Sequence, residues 1–163
     1  MSFLRPALLS LLAVGLFHTA AAAGEFSTIP DPSRGALIYV PIYSSIFYKD
    51  SARTIELAAT LSIHNIDPDH SLTLTRVDYH DTDGKLVRHH LEQPLVLAPL
   101  VTKNYVISQA DRTGGTGANF MVAWKSDVPI APPIVEALMV SVSSQTISFT
   151  ASGKIVRSAD ARE

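Results

Sequence analysis

The sequence predicts an all-β fold: a two-sheet, immunoglobulin-like sandwich of about eight or nine short strands, following a cleaved signal peptide. Three observations predict it. Apolar and polar residues alternate with period two, most cleanly in "TIELAATLSIH", residues 54–64. Clusters of Asn, Asp, Gly and Pro separate such segments at intervals of about 8–12 residues. Past the N-terminal apolar run, no segment carries the repeat of an amphipathic helix. A closed barrel is the alternative arrangement.

The 163-residue chain opens with Arg5, an apolar run from Ala7 to Phe17, and small residues from Ala20 to Ala23. That is the three-part pattern of a secretory signal. The run of about 11 residues is too short for a bilayer, which takes about 20. Cleavage is expected after Ala22 or Ala23, making residues 1–23 the signal peptide. Residues 24–35, with two prolines, read as a flexible lead-in, 36–157 as the sandwich and 158–163 as a polar tail.

Each strand has its own warrant. "ALIYVPIYSSIFY" is rich in β-branched and aromatic residues, and Pro41 within it predicts an edge or bulged strand. In 54–64, Ile55, Leu57, Ala59, Leu61 and Ile63 share one side. "NIDPDHS" turns the chain. In "LTLTRVDYH" the apolar side switches from Leu72 and Leu74 to Val77 and Tyr79, which predicts a bulge near Thr75–Arg76. "DTDG" is a hairpin signal, returning through "KLVRHHL". "EQPLVLAPL" is extended and "TKNYVI" is a short strand. The loop "DRTGGTGANF" leads into "ANFMVAWK", where Phe120, Val122 and Trp124 share a face that reads as core. "SDVPIAPP" breaks the chain. "IVEALMVSV", "TISFTA" and, past Ser152–Gly153, "KIVR" complete the set.

Composition excludes several classes of function. With no cysteine there is no disulfide, thiol nucleophile or zinc–sulfur site. A disulfide-free exported chain suits a bacterial periplasm or exterior. Without Arg5 the processed chain has 12 Lys and Arg against 15 Asp and Glu, a net charge of −3. That offers no basic field for nucleic acid, and no later apolar run is long enough to span a membrane.

"VDYHDTDGKLV", "GGTGANFMVAWKSDVPIAPPIVEALM" and "QTISFTASGKIV", occurring in this order, resemble a family of secreted bacterial proteins classed only as a domain of unknown function. The resemblance covers roughly residues 35 to 156. It implies an extracytoplasmic bacterial protein and names no reaction or ligand. A looser likeness, to small bacterial β-sandwiches with a Tyr-x-Asp-x-Asp-Gly hairpin before an x-Asp-x-Pro-Ile loop, falls on Tyr79 to Gly84 and Ser126 to Ile130. It bears on the fold alone.

The candidate site residues are Gly114, Gly115, Gly117, Asn119, Asp127, Glu136, His80 and Asp81. The glycine loop lacks the P-loop and dinucleotide spacings and lies between strands, so it reads as a joint that can also touch a ligand. His64, Asp67, Asp69 and His70 bracket one turn, and Asp78, His80, Asp81 and Asp83 another. Neither has metal-ligand spacing, and such residues also make turns through their own backbone. His89 and His90 point to opposite faces. Glu136 shares a side of its strand with Ile134, Leu138, Val140 and Val142. It either pairs with Arg76 in the interior or reaches water at a strand end. No nucleophile elbow is present. The expected function is a non-catalytic extracytoplasmic binding module for a protein, glycan or envelope component, with no cofactor and no metal. The alternatives are a metal- or carboxylate-dependent hydrolase using Asp78, His80 and Asp81, and a structural envelope module. Exposed apolar surface on one sheet would favour a protein partner.

Overall fold

The computed structural model describes residues 31–49, 53–142 and 146–159. The expected signal peptide, most of the lead-in and the end of the tail lie outside the described residues. Within them run β1 (Ser33–Pro41), β2 (Ser45–Tyr48), β3 (Arg53–Glu56), β4 (Ala58–His64), β5 (Leu72–His80), β6 (Leu86–His89), β7 (Leu95–Leu97) and β8 (Thr102–Ile107). After one short 3-10 turn at Gly115–Gly117 come β9 (Asn119–Ile130), β10 (Ile134–Val142), β11 (Thr146–Ser152) and β12 (Lys154–Ser158).

These form a β-sandwich. One sheet runs β12-β1-β9-β5-β6, with β7 also pairing β5; the facing sheet runs β11-β10-β4-β8; β2 and β3 make a separate ribbon. Alternation fixes what each sheet buries. The first sheet turns Ala36, Ile38, Val40, Leu72, Leu74, Val77, Tyr79, Phe120, Val122 and Trp124 inward. The second answers with Ala59, Leu61, Ile63, Tyr105, Ile107, Val135, Ala137 and Met139. The expected bulge is present: register shifts between Leu74 and Arg76, so both apolar pairs of β5 face the core. Trp124 is a core residue, 3% exposed.

The strands outnumber the expected eight or nine because the chain changes sheet inside apolar runs. "TIELAATLSIH" divides at Leu57, whose N–H leaves the ladder to donate to Ser44 O at 2.9 Å. β3 then belongs to the ribbon and β4 to the second sheet, while Leu57 stays buried. "ALIYVPIYSSIFY" divides likewise into β1 and β2, and β1 begins at Ser33, within the segment read as lead-in. β1 is not an edge strand, since β9 and β12 flank it, but it is bulged: its register shifts between Leu37 and Ile38 against β12 and between Ser33 and Gly35 against β9. Pro41 is its last residue, past the end of β12, whose pairing stops at Tyr39. "SDVPIAPP" does not break β9, which runs to Ile130. Between Lys125 and Ile130 it has no partner in β1 or β5, so Pro129 removes no ladder bond.

Asn65 staples the loops at one end. Its side chain is buried and Nδ2 donates to His70 O at 2.9 Å, Leu97 O at 3.2 Å and Ala98 O at 3.0 Å. Oδ1 accepts from Asp67 N at 3.2 Å.

Candidate functional site

Six of the candidate residues come together at one end of the sandwich. Asn119 opens β9 opposite His80, the last residue of β5, and Asp81 starts the hairpin to β6. The glycine loop lies over them. Gly115 N donates to Ser44 Oγ at 2.8 Å and Gly117 N to Thr82 Oγ1 at 2.9 Å. Gly114 O accepts from Thr82 N at 3.0 Å and from Thr82 Oγ1 at 2.9 Å. The amides that would cradle an anion are thus spent on two hydroxyls. Gly114 has no room for a side chain, because a Cβ there would sit 1.8 Å from Tyr79 Oη, and Gly115 has φ +76°. Asp81 is likewise committed to its turn, where Oδ1 accepts from Asp83 N at 3.0 Å and Lys85 N at 2.8 Å.

Asp127 and Glu136 lie elsewhere. Asp127 is far along β9 from Asn119, roughly 27 Å at strand rise. Glu136 does not pair with Arg76; the two are on different sheets. Glu136 is half-exposed on the outer side of β10, its Oε1 3.7 Å from His64 Nε2. Arg76 instead holds Asp78, and His89 Nδ1 donates to the same carboxylate at 2.7 Å. Burial alone would raise the Asp78 carboxyl, but these two partners more than offset it and hold it below its usual 3.8.

His90, pointing the other way, sits against Tyr105 and Phe120 with ring centroids 5.3 Å away in each case. Burial, reinforced by the Arg88 charge, lowers its pKa from the usual 6.5. Both groups therefore bind a proton more readily in the unfolded chain. The His90 contribution is complete above pH 6.5 and is lost as pH falls through the lower folded value; Asp78 does the same from 3.8 downward. The melting temperature is expected to fall between about pH 7 and pH 5, and His90→Phe should flatten that fall, as read by thermal denaturation across pH.

The feature that sequence reasoning missed is the outer face of the second sheet. β10 directs Ile134, Glu136, Leu138, Val140 and Val142 away from the core. Thr60 and Ser62 of β4 and Thr150 and Ser152 of β11 flank them in register. Val106 of β8 lies beyond Thr60. Ile134, Leu138, Val142 and Val106 are exposed by 52%, 43%, 72% and 64%. Among the described residues of this face, Glu136 is the only Asp, Glu, Lys or Arg. The outer face of the first sheet carries Arg76, Asp78, Lys125, Lys154 and Arg157. Next to Ile134, an apolar cleft of about 510 Å³ opens between Ile38, Ile66, Pro132, Pro133 and Ile155.

Among the described residues, no three His, Asp or Glu side chains are placed to share one ion. The first turn cluster is divided: His64 bonds Thr102 at 2.9 Å, whereas Asp67 Oδ1 accepts from Asp69 N and His70 N. Among the same residues, no helix is long and apolar enough to cross a membrane.

No curated protein and no solved structure matches the chain. The family model described as "Protein of unknown function (DUF3124)" matches residues 35–156, from the third residue of β1 to the third of β12, and so takes in part or all of every strand of the sandwich. The chain therefore belongs to the DUF3124 family of proteins of unknown function.

Proposed function

We propose that the chain is a non-catalytic binding module working outside the cytoplasm, and that it docks a protein partner on the outer face of the second sheet. The observation that carries this reading is the contrast between the two faces of one sandwich. The first sheet faces solvent with the charges of Arg76, Lys125, Lys154 and Arg157. The second presents aliphatic side chains ringed by Ser and Thr, with Glu136 the lone acid among its described residues. Single exposed apolar residues are ordinary, but a continuous, charge-depleted patch has the composition of an interface core. The neighbouring apolar cleft could take a side chain from the same partner. Export is supported by Arg5, the Ala7–Phe17 run and the small residues after it.

The glycine loop, with His80, Asp81 and Asn119, is the second contact region of this reading, and Asp127 lies at the opposite end. A photo-crosslinking residue at Leu138 and one at Thr73, on the charged face, separate the surfaces. In cells, the Leu138 probe is expected to trap a second protein and the Thr73 probe is not. Equal yields from both, or none from Leu138, would discard the docking face. The exported chain should begin at Ala23 or Gly24 by N-terminal sequencing.

A further inference from the structure

We infer that two copies of this chain associate through the edge of β11 that no described strand covers, extending the second sheet across a two-fold axis at Phe149. The inference is independent of the docking face, because it uses the backbone edge of the sheet and not its surface.

A strand edge offers unpaired N–H and C=O groups, and proteins ordinarily guard such edges with charge, proline, bulges or brevity. Among the described residues, the other edges of the two large sheets are guarded. β12 carries Lys154 and Arg157, β6 carries Arg88, β7 has only three residues, and β8 carries Lys103. β11 reads TISFTAS: seven residues, no charge, no proline, and an unbroken register along β10. Its side chains are β-branched, aromatic or small, which suits pairing.

The occupant follows from self-complementarity. In an antiparallel pair centred on Phe149, Thr146 faces Ser152 of the other copy and Ser148 faces Thr150, placing hydroxyl beside hydroxyl on the outer side. Ile147 faces Ala151 and Phe149 faces Phe149 on the inner side, where Ile147, Phe149 and Ala151 are already partly buried. No like charges meet, and no charge is present to select a foreign strand. The contact is isologous and consumes the edge it uses. The other end of the sheet is the Lys103-bearing β8, so assembly closes at two copies.

The test measures the mass of the exported chain by sedimentation over a concentration series, with two double variants. Ser148 and Thr150 are exposed, so their substitution leaves the core untouched. The unaltered chain is expected to dimerise. Ser148→Lys with Thr150→Lys, which sets like charges across both flanking pairs, should weaken association at least 100-fold. Ser148→Lys with Thr150→Glu, which sets opposite charges across the same pairs, should restore it. Melting curves confirm that both variants fold. A chain that stays monomeric at about 100 µM, a dimer indifferent to the two lysines, or a failure of the Lys–Glu variant to re-form the dimer would each overturn the inference.

Discussion

Phe120→Ala is expected to lower the unfolding free energy by about 3–5 kcal/mol, the cost of removing a fully enclosed aromatic ring. Phe120 has no exposed surface and sits on β9. Its ring stacks on Tyr79 at 5.1 Å and meets His90 at 5.3 Å. The lost transfer energy is only part of the cost, because the surroundings cannot close on the void. β9 is held in register by β1 on one side, with Val40 opposite Phe120, and by β5 on the other, with Tyr79 opposite. Two ladders would have to shift together for the gap to shrink. Tyr79 is also pinned from above by Gly114, which leaves its hydroxyl no slack. Phe120→Leu keeps most of the volume and should lose distinctly less. Equilibrium urea unfolding of both variants reads the difference. A loss under about 1 kcal/mol for the alanine variant would mean that the site does collapse, and that the sandwich interior is looser than its packing implies.

β9 and β10 show why one strand could be oriented from sequence and the other could not. In β9 only one parity is apolar throughout: Phe120, Val122 and Trp124 against Asn119, Met121, Ala123 and Lys125. Water decides the orientation alone. In β10 both parities are apolar, and the bulkier one, Ile134, Leu138, Val140 and Val142, faces out. What selects the inner set is volume supplied from across the sandwich. Tyr79, Phe120 and Trp124 already fill much of the layer, so the facing strand contributes Ala137 and Ser141 as well as Val135 and Met139. That pairing of large with small is a tertiary fact, carried by no single strand. The divided strands have the same cause, since a residue such as Leu57 can stay buried while its backbone passes from one sheet to another.

The candidate site was legible where short-range geometry sets it. The Asp-Gly turn brings β6 back along β5, which puts His89 near Asp78 and was within reach of the sequence; their direct opposition also depends on a register shift between Tyr79 and His80. The turn roles of Asp67 and Asp81 follow from the same local chemistry. The glycine loop was not legible in this way. Its partners Ser44 and Thr82 are 71 and 32 residues distant along the chain, and their hydroxyls show no pattern that marks them as anchors. The charge-depleted face needed the orientation of β10 first, which is why Glu136 stood out in sequence while Leu138 and Val106 did not.

Asn65→Asp tests whether the amide at the β4–β5 turn is the staple its geometry indicates. The side chain is 2% exposed, and its Nδ2 hydrogens are shared among the carbonyls of His70, Leu97 and Ala98. Aspartate has the same shape but no donor when ionised, and it would aim a buried negative charge at three carbonyl oxygens. At neutral pH the expected loss is about 3–5 kcal/mol, the range for an uncompensated buried charge. Protonation restores one O–H donor, so the folded variant should hold its proton well above the ordinary aspartate value of about 3.9. Its penalty relative to the unaltered chain is then smallest below that value and grows as pH rises through the folded one. This slope is opposite to the acid-side loss expected from His90 and Asp78, so the comparison is made pairwise at each pH. Asn65→Ala removes the donors without adding charge. It should cost about 1–3 kcal/mol through the donors lost to His70 O, Leu97 O and Ala98 O, the last of which keeps Val101 N, with no added pH dependence. If Asn65→Asp and Asn65→Ala melted alike from pH 5 to pH 8, the three carbonyls would be satisfied by something other than the Asn65 amide.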